Sequence, residues 1–140
     1  MDVAAAEALS DDDFIAAFEA RTLDDFPHRF HLRVAWIYIG NLGVDGAIAR
    51  LADEIRDLAN GRGQPTKYHE TITRAWAYIV AHVAGDAGRG IGFGGLLQRH
   101  PELLDKHLLL KHYRSETLAG PEARQRWVAP DLRELPGVPI

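Results

Sequence analysis

The stretch Asp45-Gly-Ala-Ile-Ala-Arg-Leu-Ala-Asp-Glu-Ile-Arg-Asp-Leu-Ala-Asn60 sets Ile48, Leu51, Ala52, Ile55, Leu58 and Ala59 at intervals of three and four. Asp53, Glu54, Arg56 and Asp57 fall on the other side. This is the period of a helix with one buried face. Working outward, further segments carry the same period and no run alternates convincingly with period two. The expected fold is therefore all-α: a compact bundle of about four main helices with short additional helices and an extended C-terminal tail, forming one domain over residues 1–140.

Upstream, Ser10 is placed to cap a helix that opens with Asp11, Asp12 and Asp13, where carboxylates suit the positive end of the helix dipole. Phe14, Ala17 and Phe18 supply its buried face. Asp24-Asp25-Phe26-Pro27 ends that helix and starts a second, capped at Asp25 or Phe26 and running to about Asn41, where Gly40, Asn41 and Gly43 permit a turn. Downstream, Gly61, Gly63 and Pro65 break the chain, and Thr66 is expected to cap a helix reaching about Val83 with the seam His69, Ile72, Trp76, Ile79, Val83. The glycine-rich Gly85–Gly95 segment lacks a phosphate-loop lysine and reads as a flexible connection or a mobile lid. Pro101 is expected to open a helix running to about Tyr113, and Ser115 and Pro121 two short ones. Residues 1–9 and 130–140 are expected to be loosely ordered.

A chain of 140 residues, 46% hydrophobic and 26% charged, can bury a core without staples, so a metal ion would be functional. It has no Cys, which excludes disulfides, Cys-ligated metals and a thiol nucleophile. A net charge of −4 argues against nucleic acid as a partner. The longest uncharged apolar stretches, Val34–Val44 and Ala75–Gly85, fall well short of a bilayer span, and the acidic start Met1-Asp2-Val3-Ala4 is unlike a signal peptide, so no membrane partner and a cytoplasmic location are expected.

The seven His are the notable reactive groups. His28 and His31 share one face at the start of the second helix, and His69 opens the fourth. If the third helix returns the chain antiparallel to the second, the fourth begins near where the second began, and the three imidazoles meet at one end of the bundle. Three imidazoles with an open position suit a mononuclear divalent metal: zinc, nickel, iron or copper. Glu70 or Tyr68 would then act as a further ligand, a general base or a hydrogen-bond partner of a ligand. His69-Glu70 is not a metalloprotease helix, because Thr73 stands where the second His is required. Both helix starts carry a positive dipole, which repels a cation and holds imidazoles neutral. The same field suits an anionic substrate, with His69 and Arg33 as donors, although Arg33 faces away from His31. Two other readings stay open. Either His28 and His31 cap a helix end and His69 is a satisfied core residue, or the three line a metal-free polar pocket.

His82 lies too far along the fourth helix to join this group, His100 is placed to cap at Pro101, and His107 and His112 are expected to be partly exposed. Trp36, Tyr38, Trp76 and Tyr78 read as packing residues, with an aromatic-lined pocket below the histidines as the sharper alternative. Asp105, Lys106, Lys111, Arg114 and Arg124 read as a solvated face from which one or two side chains fold over the cluster.

His28-Arg29-Phe30-His31-Leu32-Arg33-Val34-Ala35-Trp36, Tyr68-His69-Glu70-Thr71-Ile72-Thr73, Leu104-Asp105-Lys106, the stretch Tyr113–Leu118 and Ala129-Pro130-Asp131 together resemble a family of small bacterial helical proteins of uncharacterised activity. The resemblance implies one compact domain over about residues 10–135, with the two His segments as its signature, and brings no cofactor or reaction. The functional expectation is thus a metal-dependent hydrolase or lyase acting on a small-molecule substrate at His28, His31 and His69 with Glu70 and Tyr68. The alternative is a non-catalytic ligand-binding or protein-interaction module with structural histidines. Association with a second copy of the chain is compatible with either.

Overall fold

A computed structural model of the chain describes residues 1–136. It is all-helical, with no strand among the described residues. The helices are α1 (Val3–Glu7), α2 (Asp11–Glu19), α3 (His28–Gly61), α4 (Glu70–Ala87), α5 (Gly92–Arg99), α6 (Ser115–Ala119) and α7 (Pro121–Gln125), with 3-10 turns at Pro65–Lys67, Arg89–Ile91, Pro101–Leu104 and Lys106–Lys111. Among the described residues no helix is long and apolar enough to cross a membrane.

Ser10 caps α2 as expected, its Oγ accepting from the Asp13 N–H at 3.1 Å. Phe14 meets the edge of Phe30 and Phe18 stacks on Phe26, each at 5.1 Å between ring centres, which fixes α2 against the start of α3. The Ala-rich lead-in is more ordered than expected: Asp2 caps α1 by accepting from the Ala5 N–H at 2.8 Å, and Ala6 is buried.

The second and third expected helices are continuous in hydrogen bonding but break at Gly43, whose φ of 76° and ψ of 175° are open only to glycine at low cost. The two halves fold back on each other. Arg62, just past the end of α3, donates to the Leu23 and Asp24 carbonyls a few residues before the helix starts, and Arg50 lies over the Tyr38 ring. Asp25 and Phe26 do not cap α3; Pro27 occupies that position and offers no side-chain bond.

Thr66 does not cap α4. Residues Pro65–Lys67 form a separate turn, and His69 is the N-cap residue. The expected seam is too narrow, because Ala75, Trp76, Ala77, Tyr78, Ile79 and Val80 are all buried. A helix buried on every side is a central one, and α4 has α3, α5 and α7 against it. The Gly85–Gly95 segment is ordered. Gly88, at φ 82°, ends α4, and Arg89 returns to donate to the Trp36 carbonyl at 2.7 Å while its guanidinium lies 4.0 Å from the Trp36 ring centre. Gly40 makes room for it: a Cβ there would stand 2.4 Å from Arg89.

The expected Pro101–Tyr113 α-helix is replaced by two 3-10 turns divided at Asp105, which accepts the His107 N–H at 2.9 Å. In a 3-10 turn every third side chain eclipses. Leu103, Leu109 and His112 are buried, while Leu104, Lys106, His107 and Leu110 are exposed. His112 was expected near the surface but is 8% exposed, with Nδ1 3.0 Å from the Arg133 carbonyl. The tail lies on the body through Tyr113 Oη donating to Val128 at 2.7 Å and through buried Leu135; residues 137–140 of the expected loose end lie outside the described residues.

Candidate functional site

The first half of α3 and α4 run in the same direction, the arrangement on which the three-histidine expectation was conditional: His28 meets Trp76 near the lower end of the pair, and Trp36 meets Arg89 just beyond the upper end. The register, however, is offset. His28 packs its ring edge on Trp76, at 4.5 Å between centres, and Trp76 lies seven residues beyond His69. Seven residues of helix rise about 10 Å. The three imidazoles consequently do not converge, and among the described residues no three His, Asp or Glu side chains stand where they could hold one metal ion.

Each histidine has a distinct assignment. His69 Nδ1 accepts from the Ile72 N–H at 3.0 Å, so Nε2 carries the proton and donates it to the Leu118 carbonyl at 2.7 Å. Both ring nitrogens are engaged, leaving no lone pair for a metal. His69 is 7% exposed, and burial lowers its pKa, against the opposing effect of the Leu118 bond. His28 Nε2 donates to the Leu103 carbonyl at 2.8 Å across 75 residues of sequence. Burial lowers its pKa, the Leu103 carbonyl acts the other way, and Lys106 and Asp105 have smaller, opposed effects. His31 is different. Its Nε2 is buried without a hydrogen-bond partner, and burial first, then neighbouring His28, press its pKa down to about 4. It is neutral at pH 7.

Glu70 and Tyr68 stand elsewhere. Tyr68 Oη donates to Glu70 Oε1 at 2.6 Å, and Arg56 and Arg74 hold the same carboxylate at 3.4 and 3.8 Å. Burial, and then the Glu70 bond and charge, raise the Tyr68 pKa. Neither side chain lines the hollow beside His28 and His31. As a proton-transfer pair for a reaction at those histidines, the two are misplaced. Arg33 also points away, to Asp11 and the Leu9 carbonyl.

The hollow has a volume of about 290 Å³. Buried Trp76 and Leu109 form its floor, His28, His31, Ile72 and Leu118 its walls, and exposed Lys106, His107 and Leu110 its mouth. It approaches the lower size limit of small-molecule sites and shares their composition, an apolar lining with few polar groups. A hollow of about 320 Å³ beside Phe93 and Leu97 has its charges already matched, Arg29 with Glu7 and Arg33 with Asp11. Of the aromatic residues weighed for a pocket, Trp76 lines the hollow beside His31 and the other three do not. Leu109, Leu110 and Leu118 were missed as site residues, and nothing in the sequence pattern sets them apart from the neighbouring leucines.

The chain matches no protein-family model, no curated protein and no solved structure.

Proposed function

We propose that this protein binds a small molecule in the hollow between the start of α3, α4 and the Lys106–Lys111 turn, the ligand laying an apolar body on Trp76 and Leu109 and giving His31 a hydrogen bond. This corresponds to the non-catalytic ligand-binding alternative. The observation that carries it is His31, which lines that hollow and whose Nε2 is buried with no hydrogen-bond partner among the described residues. An unsatisfied buried polar atom costs about 1–3 kcal/mol, which a ligand hydroxyl or carbonyl group recovers. Neutral imidazole has one donor and one acceptor nitrogen, so it can meet either.

Benzyl alcohol is a suitable probe, with an aromatic body and one hydroxyl group. Titration into ¹⁵N-labelled protein is expected to give saturable amide and indole shifts at Ile72, Trp76, Leu109 and Leu118, with a Kd of about 1 mM, as befits so small a ligand. The His31→Leu variant should lose the preference for benzyl alcohol over toluene. Shifts scattered over other faces, or none, would sink the proposal.

A further inference from the structure

The charges around the hollow narrow the ligand class. Among the described residues its lining carries one ammonium group, Lys106, three imidazoles and no carboxylate, in a chain where acids outnumber Lys and Arg by 20 to 16. The nearest acid in sequence, Asp105, is turned to the His107 N–H. The nearby Leu103 and Leu118 carbonyls already accept from His28 and His69. A cationic ligand would meet neutral imidazole nitrogens as its acceptors, with no opposite charge, at a mouth that already holds an ammonium group. An anion meets that ammonium group as its counter-charge. Lys106 is exposed at the mouth, where its charge stays hydrated until a ligand arrives and attracts anions from a distance. Behind it the floor is apolar and has space for one ring or a short chain.

Building on the small-molecule reading above, we infer that the ligand is a monoanionic amphiphile, its carboxylate-type head at Lys106 in the mouth and its apolar body on Trp76. The groups facing the head are Lys106 and His107 from the 3-10 turn, His28 from α3, and Asp105 at the turn's start; α4 presents only Ile72 and Trp76. Lys106 fixes the sign, and the floor fixes the tail.

The test uses the full chain and four probes of similar size: phenylacetate, phenylacetamide, phenethylamine and benzyl alcohol. Binding is followed by NMR titration at pH 7.5 in low and high salt. Phenylacetate should bind about fivefold more tightly than phenylacetamide at low salt, the advantage shrinking at high salt. Phenethylamine should bind most weakly. In Lys106→Gln the phenylacetate advantage over phenylacetamide should vanish, and in Lys106→Glu it should reverse, each read as the ratio of the two affinities within the same variant. If benzyl alcohol binds but phenylacetate is no better than the amide, or keeps its advantage without Lys106, the anionic assignment is overturned while the hollow stands as a binding site. If no probe binds there, both readings fall.

Discussion

A single nitrogen atom separates the histidine that suggests a function from the two that hold the fold. His28 and His69 each donate a proton to a distant carbonyl, whereas His31 leaves Nε2 buried and unpaired. Replacing His31 with leucine, similar in volume and without a polar atom, should stabilise the protein by about 1 kcal/mol, read as a rise of about 3 °C in Tm. A loss of stability would mean that His31 has a partner in the native state. The pH dependence follows from the same burial. His31 has a folded pKa of about 4 against an ordinary value of 6.5, so the unfolded chain binds the proton first as pH falls. The stability linked to this group is present above pH 6.5 and is lost between about 6.5 and 4. Urea titrations should show His31→Leu losing less stability than the unmodified chain over that interval; parallel curves would overturn the assignment. Lowered pKa values at His28 and His69 act in the same direction and are common to both chains.

Among the elements, α3 and the Lys106–Lys111 turn show how much a local break decides. Gly43 leaves the helical region yet has nothing within 4 Å of the position a Cβ would take. The cost of Gly43→Ala is thus conformational, about 1–3 kcal/mol, and should appear as a lower urea midpoint with an unchanged m-value. An unaffected midpoint would mean that the α3 break does not require glycine. The sequence had placed a chain reversal at this point, because Gly40, Asn41 and Gly43 interrupt two apolar-periodic runs. It misread residues 101–113, because five leucines in that stretch satisfy an α-helical face as readily as a 3-10 one. Asp105 decides the matter by capping a new turn, and an aspartate inside a run is no clear sign of a break until its hydrogen bond is seen.

For the whole molecule, the register between parallel helices decides whether a metal can be held. His28 reaches α4 at Trp76, about two turns from His69, and His69 is bound through both of its nitrogens. Protein prepared without a polyhistidine tag and exposed in turn to zinc, nickel, iron and copper should retain less than one-tenth of an equivalent after desalting, measured by elemental analysis. Stoichiometric retention that His69→Ala abolishes would restore the three-histidine site.

The sequence by itself determined the helical class, the cap at Ser10, the reversal at Gly43 and the short helices at Ser115 and Pro121. Each depends on the period of apolar residues or on the backbone freedom of a few positions, and both are local properties. It singled out the two histidine segments without assigning the role of any one imidazole. That was decided by the tertiary structure, since an imidazole's role depends on which carbonyl comes within hydrogen-bond reach, and here those carbonyls lie 75 and 49 residues away. His31 Nε2 has no such carbonyl within reach among the described residues, and the residue lines the hollow.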